Sequence, residues 1–522
     1  MAKKVTAKKK PARVKEKEIE KEIEEEQEPA PAQAADQIGV GSVAEGGAVA
    51  AGRGARAYSF KVGNVTLDVR LLPVVVVLVA VIGVLGYFLL RPTHPEKMTG
   101  GFNVAIAGFT VVDESGSAVK SDEGSKLSKF IYDRLSAGFA ELDLKTVRYE
   151  LWPPDFTGQI KGKTKEERFV AAEALAGRID AHVIIYGVVT LAGENSSFAP
   201  EFYVNYKGFE QAEEITGQHE MGNPVLVNLP FVAEAIQDVE NPAFSARANA
   251  LSLITIGLAY YSVDDYAEAL NYFTQAEATK GWLKNAGKEI VYLLMGNATA
   301  RQASKDKNTE SLTKAYEFYK TALSVNGDYA RARVGLAGVL YLIALGDPND
   351  PSLGTVDLTK LDEAAATFQS ALTMKDSPES ANIETKVHFG VGQIDLVRAQ
   401  IEGGDWQAKA KVEFEQVVLD FDGGNTRVID LAGHAHARLG LIALQQGDTA
   451  TAAQEYKAAT GLVTPFYKAY YYTRLGEVYA GASQIDSAIE AYQQAVRIAE
   501  SSGDETSAEK YGERLAELEA QK

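Results

Sequence analysis

The longest apolar run of the chain, Leu71 to Leu90, contains twenty residues without a charged side chain and lies between Arg70 and Arg91. At 1.5 Å per residue, a helix of this length covers about 30 Å, the thickness of a bilayer's hydrocarbon core. A buried core helix or strand is the alternative, but soluble cores seldom run so far without a polar residue. The pattern therefore predicts a single transmembrane helix over residues 70–91.

The basic residues that flank this run predict its orientation. The N-terminal flank carries more of them, namely Arg53, Arg56, Lys61 and Arg70 against Arg91 and Lys97 on the other side. Because cytoplasmic flanks are richer in Lys and Arg, we expect a single-pass plasma-membrane protein with a cytoplasmic N-terminus and an extracytoplasmic C-terminal region. The late position of the run and the lack of a small-residue cleavage site argue against a cleaved signal peptide.

Residues 1–69 have little to bury. A basic start is followed by an acidic run from Glu16 to Glu28 and by a stretch rich in Ala, Gly, Pro and Gln. Such composition is typical of disordered segments. We therefore expect a disordered charged tail over 1–69 and a short linker over 92–101, after the membrane helix.

Between residues 102 and 230 the pattern alternates between strand and helix periods. The predicted elements, in order, are a strand over Phe102–Val112, a helix over Lys126–Leu142, a strand over Thr146–Trp152, a helix over Lys165–Ile179, a strand over His182–Leu191 and an edge strand over Glu201–Tyr206. This order predicts a mostly parallel sheet covered by helices, that is, a small α/β domain. Its opening VAIAGF strand and its IDAHVIIYG segment resemble the TolB amino-terminal and curli-secretion-type domains of bacterial envelope proteins. That resemblance implies a role in assembly or binding at the cell envelope.

From residue 245 onward the apolar positions follow a helical period and recur at a fixed spacing. A small residue in one helix is followed twelve residues later by Ala, then by an aromatic residue and a second Ala. Three units show this spacing: Gly257, Tyr260, Ala269, Phe273 and Ala276; then Gly440, Ala452, Tyr456 and Ala459; then Gly476, Tyr479, Ala488, Tyr492 and Ala495. The pattern resembles the tetratricopeptide repeat (TPR), in which Gly and Ala let paired helices approach and aromatic side chains fill the remaining gap.

The units between these three match less well, since polar insertions such as SKDKNTE lengthen the spacing. We still predict about six hairpins over residues 245–500. A polar helix over 504–522 suits the terminal cap that repeat arrays need for solubility. The predicted fold class is therefore mainly α: a C-terminal TPR-like α-solenoid, preceded by a small α/β domain and a single transmembrane helix.

Composition narrows the possible functions. The absence of cysteine removes disulfides, thiolate metal sites and cysteine nucleophiles. The net charge of −18 is concentrated in the folded part, because residues 1–70 are slightly basic. An acidic surface is poorly suited to a phosphate backbone, so we expect nucleic-acid binding to be unlikely.

Motifs that carry chemistry are also missing from the sequence. His434 and His436 stand two apart on a predicted helix, so they point to different faces and cannot chelate one metal ion. The segment GQIKGKT, residues 158–164, is one residue short of a phosphate-binding loop. The sequence predicts no catalytic residue, no metal site and no cofactor, and we expect a protein that is not an enzyme.

Two functions remain open. In the first, the chain is a membrane-anchored scaffold that binds other proteins or peptide segments in the groove of its repeats. By resemblance to TPR proteins, the candidate groove contacts are His434, Ala437 and Leu441 in the fifth unit and Tyr470, Thr473 and Glu477 in the sixth. Tyr467, Tyr471 and Tyr472 could extend the patch, although each could equally pack between hairpins. In the second, the chain is a receptor whose α/β domain binds a small molecule in the loops after Val112 and Leu191 and signals through the repeats.

Overall fold

The computed structural model describes residues 59–62, 65–68, 96–140, 148–209, 212–232, 237–346 and 353–522. The chain divides into two compact units, residues 1–91 and 92–522. In the first unit, β1 (Ser59–Val62) pairs antiparallel with β2 (Val65–Asp68), with Val62 opposite Val65. These eight residues form a short hairpin rather than part of a disordered tail.

The predicted membrane helix, Leu71–Leu90, lies outside the described residues. Among the helices that the structure does describe, none combines the length and the apolar character needed to cross a bilayer.

The second unit opens with a mixed sheet. Its strands are β3 (Phe102–Ile106), β4 (Thr110–Asp113), β5 (Tyr149–Trp152), β6 (Val183–Leu191), β7 (Ser197–Val204), β8 (Gly217–Glu220) and β9 (Val225–Leu226). The order across the sheet is β5-β3-β6-β7-β8, with β4 also on β6 and β9 on β7. Strands β3, β4, β5 and β6 pair in parallel, as predicted, whereas β7, β8 and β9 add antiparallel pairs.

Three details of the α/β domain differ from the sequence prediction. The first strand is interrupted, because Gly108 turns its N–H from β6 to the carbonyl oxygen of Gly158, at 2.7 Å. The predicted edge strand is the longer β7, which is paired on both sides. Residues 98–100 belong to the domain rather than to the linker: Met98 is buried, and the N–H groups of Thr99 and Gly100 donate to the Glu150 carboxylate.

Helices cover both faces of this sheet. They are α1 (Glu123–Ala140), the single turn α2 (Pro154–Thr157) and α3 (Lys165–Ile179). Helix α1 packs Leu127, Ile131 and Phe139 into a core that continues into the helical region. Helix α3 closes the smaller core on the other face with Phe169 and Leu175.

Within the described residues, the rest of the unit is helical. After the short α4 (Gln237–Glu240), six hairpins follow: α5 (Pro242–Tyr261) with α6 (Tyr266–Glu277), α7 (Glu289–Asp306) with α8 (Thr309–Val325), α9 (Ala330–Leu345) with α10 (Leu358–Ala371), α11 (Ile383–Glu402) with α12 (Trp406–Asp422), α13 (Ile429–Gln445) with α14 (Thr449–Leu462), and α15 (Pro465–Gly481) with α16 (Ile485–Ser501). The last helix, α17 (Glu505–Glu519), lies against α16. The predicted α-solenoid and α/β domain are both present.

The small residues of the repeat signature face the aromatic residues of their own hairpins. A side chain at Gly257 would place its Cβ 2.4 Å from the Phe273 ring, and at Gly476 2.6 Å from Tyr492. In the second hairpin Tyr319 is held between Gly296 and Gly335 in the same way. Only glycine allows this approach of ring to backbone, which is why the spacing recurs.

The second helix of several hairpins begins at an N-cap carboxylate. Asp265, Asp357 and Asp448 each accept a hydrogen bond from the N–H three residues later. Such caps satisfy N–H groups that the first turn of a helix leaves without a partner. They set where each second helix starts and so keep the hairpins in register.

Candidate interaction surface

The α/β domain is docked against the first helices of the solenoid. The connection from β7 to β8 carries Glu214, whose carboxylate accepts hydrogen bonds from Nε and Nη2 of Arg301 on α7, both at 2.8 Å. The hydroxyl of Tyr261 on α5 donates to the same carboxylate at 2.6 Å. One acidic side chain therefore joins the domain to the first two hairpins.

Strand β8 continues this contact along the third and fourth hairpins. Arg331, at the start of α9, donates to the carbonyl oxygens of Thr216 at 2.8 Å and Gln218 at 3.2 Å. The N–H of Gln218 donates to Oγ of Ser380, immediately before α11, at 3.2 Å. Gly217 lies against Ser380 and Arg331 at positive φ, a conformation that suits glycine.

Helix α3 extends the docking to the fifth hairpin. The guanidinium of Arg427, just before α13, donates to both carboxylate oxygens of Glu173 at 2.7 and 2.8 Å. It also lies over the Phe169 ring, 5.0 Å from its centre. The hydrogen bond to Glu173 raises the pKa of Arg427. Contacts from the α/β domain thus reach hairpins one to five.

Two titratable side chains of the interface, Glu214 and His219, both have lowered pKa values. Burial tends to raise the pKa of Glu214, but the charge of Arg301 and the hydrogen bonds from Arg301 and Tyr261 outweigh it, so that the pKa is lowered overall. Burial lowers the pKa of His219, in β8, well below its usual value, and nearby Arg331 acts in the same direction. The interface therefore holds an ionised glutamate and a neutral histidine.

A row of aromatic side chains lies on the first helices of the later hairpins. The His434 ring on α13 is 6.4 Å from Phe389 on α11 and 4.5 Å from Tyr467 on α15. Its Nδ1 lies 2.7 Å from the hydroxyl of Tyr471. Burial, with the charges of Arg438 and Arg301, lowers the pKa of His434 to about 4. His434 is therefore a packing residue and neutral near pH 7.

The candidate partner-binding residues of the sixth hairpin separate into two groups. Tyr470 is 48% exposed, and Glu477 is exposed and hydrogen-bonded to Arg474. Thr473 is buried, and its hydroxyl donates to the carbonyl oxygen of Tyr470 at 2.7 Å.

In the fifth hairpin, Ala437 is buried and Leu441 is partly buried. Thr473 and Ala437 are thus buried, whereas the half-buried His434 packs against aromatic rings of neighbouring helices. The partner-binding assignment stays a prediction, now narrowed to Leu441, Tyr470 and Glu477. Of the tyrosines around them, Tyr471 is buried, and Tyr467 and Tyr472 are partly buried against the same core.

The two histidines that were considered for metal binding do diverge. Nδ1 of His436 lies 2.6 Å from Glu455, whereas His434 faces Tyr471. In the part of the chain that the structure describes, no cluster of three or more potential metal ligands occurs.

The sequence did not identify Glu214, Arg301, Arg331 or Arg427 as interface residues. Their separations in the chain reach 254 residues for Arg427 and Glu173, so no periodicity connects them. An arginine on an otherwise small or apolar first helix, as in ARARVGLAGVL at the start of α9, is the one signal that the sequence offered.

Comparison with known families gives one match, to the family described as tetratricopeptide repeat, over residues 469–502. No curated protein matches the chain. The match covers the sixth hairpin and does not reach the α/β domain, whose similarity to TolB-type domains stays a prediction. With the hairpin geometry, it supports a TPR protein with a TPR-like solenoid.

Several solved structures are similar at low identity. The APC/C hetero-tetramer Cut9–Hcn1 is 14% identical over 54% of this chain and 44% of that one, with a TM-score of 0.37. A TPR protein of Thermus thermophilus is 14% identical over 44% of this chain and 99% of its own, with a TM-score of 0.32. The human IFIT1 dimer with m7Gppp-AAAA is 16% identical over 55% of this chain and 57% of its own, with a TM-score of 0.34. The chain spans less than half of the Cut9–Hcn1 chain.

Proposed function

We propose that this protein is a membrane-anchored, non-enzymatic scaffold that binds a partner protein through the first helices of its fifth and sixth hairpins. The observation that carries the proposal is the docking of the α/β domain through Glu214 on Arg301 and Tyr261. First helices line the concave surface that repeat solenoids use for binding. Because the α/β domain hydrogen-bonds to the first helices of hairpins one to three and, in hairpins four and five, to residues that precede α11 and α13, a partner has more room at the C-terminal end.

The chemistry of that end suits a protein partner. Tyr470 is a half-exposed aromatic side chain, and aromatic residues dominate the energetics of protein interfaces. Glu477, beside it on α15, adds an exposed carboxylate, and Leu441 adds apolar area. The patch offers an aromatic centre with a charged rim.

The partner test uses a photo-crosslinking amino acid placed at position 470 of the full chain in native membranes. We expect a discrete crosslinked protein from position 470. With the crosslinker at position 441 instead, the crosslink should form in the otherwise unchanged chain and disappear in the variant Tyr470→Ala/Glu477→Lys. The matched control is Tyr316→Ala/Glu317→Lys, the same changes on the second helix α8. If the control variant loses the crosslink equally, or the test variant keeps it, the assignment of this surface is refuted.

The membrane part of the proposal rests on Leu71–Leu90 and on the basic residues before it. We expect the full chain to remain in the membrane fraction after alkaline carbonate extraction, and the chain without residues 70–91 to be released. In intact cells, external protease should remove a C-terminal tag and spare an N-terminal one. The reverse protection pattern would invert the orientation.

The receptor alternative placed a ligand in the loop after Val112. In the structure the Asp113 carboxylate accepts hydrogen bonds from the Ser115 hydroxyl at 2.6 Å and from the N–H groups of Ser115 and Ser117, both at 2.9 Å, and these bonds lower its pKa. These bonds order the loop after Val112, and the receptor stays the alternative to the scaffold that we propose.

A further inference from the structure

A cavity of about 440 Å³ lies where the α/β domain meets the solenoid. Its wall includes Glu214 from the α/β domain and Arg301, Arg331 and Lys386 from the first helices of hairpins two, three and four. Tyr467 of the sixth hairpin also lines it. This volume falls within the range of roughly 300–1,000 Å³ that is typical of small-molecule sites.

Cationic side chains outnumber carboxylates among the residues that line the cavity. It is lined by three cationic side chains and one carboxylate, whereas the whole chain carries a net charge of −18. Glu214 is already engaged with both oxygens on Arg301. Arg331 donates to two carbonyl oxygens, neutral acceptors that satisfy its N–H groups without cancelling its charge. The charge of Arg331 therefore favours an anionic group beside it.

Asn297 in the cavity wall has an unused hydrogen-bond donor. The residue is only 2% exposed, and its Oδ1 accepts from the hydroxyl of Tyr319 at 2.6 Å. Its Nδ2 is buried without a hydrogen-bond partner. A buried donor without an acceptor is costly, so the cavity favours a ligand that brings an acceptor oxygen.

The rest of the wall is mainly apolar. Val334, Val339 and Leu342 line it from α9, and Ile383 lines it from α11. Because these side chains gain from contact with apolar ligand atoms, a ligand with only a charged group would leave part of the wall unused.

We propose that this cavity binds a small organic carboxylate with an apolar body, with its anionic group near Lys386 and Arg331, an oxygen near Asn297 and its body against α9. The site goes beyond the scaffold function, since it lies between the α/β domain and the repeats and away from Tyr470. A ligand there contacts both parts and stabilises their docking.

Gly338 provides a way to fill the cavity without disturbing the helix. It lines the cavity, and a Cβ added to it meets no atom within 4 Å. Gly338→Leu therefore places a side chain in open space on α9, where leucine is also the better helix former. Gly461→Leu on α14 is the matched control, because its added Cβ likewise meets no atom within 4 Å and it lies outside the cavity.

The experiment measures binding of acetate, hexanoate and 4-phenylbutyrate to the detergent-solubilised full chain by calorimetry and thermal shift. The uncharged 4-phenylbutanamide serves as the neutral comparison. We expect 4-phenylbutyrate to bind about tenfold more tightly than the amide, and acetate to bind most weakly. Lys386→Gln should weaken 4-phenylbutyrate by about tenfold, Gly338→Leu should abolish its binding, and Gly461→Leu should leave it unchanged.

Circular dichroism and the unfolding temperature of each variant establish that it is folded. Equal affinity for the carboxylate and the amide, undiminished binding to Gly338→Leu, or no binding of any of the three carboxylates to the wild-type chain would each overturn the proposal. Crosslinking from position 470 is read separately, so the failure of this site is distinguishable from the failure of the scaffold function.

Discussion

The carboxylate of Glu214 accepts two hydrogen bonds of 2.8 Å from the guanidinium of Arg301, and this pair joins the α/β domain to the second hairpin of the solenoid. The two residues are 87 positions apart, and both side chains are about one-third exposed, at 30% and 33%. A paired, bidentate geometry of this kind is stronger than an ordinary surface ion pair. It makes the docking of the two parts directly testable.

Replacing Glu214 should weaken that docking. Glu214→Gln removes the charge and leaves Arg301 without its carboxylate, so we expect a loss of about 1–2 kcal/mol in the free energy of unfolding. Urea unfolding monitored by circular dichroism measures it. Glu317→Gln is the control, because Glu317 pairs with Lys320 at 3.3 Å on an exposed helix face and should change stability by about 0.5 kcal/mol or less. Equal effects of the two substitutions would contradict the structural role of Glu214.

The glycines of the repeat signature should not tolerate alanine. A Cβ at Gly257 would lie 2.4 Å from the Phe273 ring, which is fully buried, so Gly257→Ala should cost about 1–3 kcal/mol in spite of alanine's better helix propensity. At Gly461 the added Cβ meets nothing within 4 Å, and Gly461→Ala should stabilise by about 0.5–1 kcal/mol. Chemical unfolding of both variants measures whether each substitution raises or lowers the free energy of unfolding. Stabilisation by Gly257→Ala would refute the packing described for this hairpin.

The half-buried His434 should make stability fall in mild acid. Burial and nearby arginines lower its folded pKa from 6.5 to about 4, so the folded state disfavours the protonated ring. Its contribution to stability is complete above pH 6.5 and is lost as the pH falls through that value toward 4. Between about pH 7.5 and 5.5 this loss amounts to roughly 1 kcal/mol.

The measurement is urea unfolding of the wild type and of His434→Gln across that pH range. We expect the variant to be less stable near neutral pH but to vary less with pH. If the two pH profiles run parallel, His434 is protonated equally in the folded and unfolded states, contrary to its position in the structure.

Asp395 on α11 should make the stability of the protein fall as the pH rises, the opposite of His434. Burial, with the negative charge of Glu413, raises its pKa from 3.8 to about 6. Its ionisation therefore costs stability as the pH rises from about 4 through 6, and Asp395→Asn should increase stability near neutral pH by about 1–2 kcal/mol. The gain should vanish near pH 4, where the wild-type carboxyl is protonated when folded. A pH-independent effect of the substitution would contradict the raised pKa.

The fold itself was accessible from local patterns. The spacing of Gly257, Ala269 and Phe273, repeated in two further units, predicted helical hairpins because the contacts that it describes lie within one hairpin. The apolar runs and the helical runs between them predicted the α/β domain, although its parallel strand pairs join residues far apart in the chain, such as Val104 and Val183. Strand β8 was missed, since GQHE has no apolar alternation and is held by its pairing with β7 and by Arg331.

The candidate site was less accessible. The sequence proposed first-helix residues by their place in the repeat, and helical spacing alone cannot show which of them face a neighbouring hairpin. Thr473 and Tyr470 are three residues apart on one helix, yet the first is buried and the second is 48% exposed. Only the neighbouring helices decide between these environments.

By itself the sequence thus determined the elements of this protein: the apolar run that predicts a membrane anchor, the strand–helix alternation, and a repeat whose small and aromatic residues pair within one hairpin. The tertiary structure alone decided that the α/β domain lies against the first helices, that Glu214, Arg301 and Arg331 surround a cavity, and that the C-terminal hairpins keep an exposed tyrosine. The physical reason is how far apart in the sequence the contacting residues lie. Hairpin packing leaves a period in the sequence, whereas docking depends on a few charged and hydrogen-bonding side chains brought together from positions up to 254 residues apart.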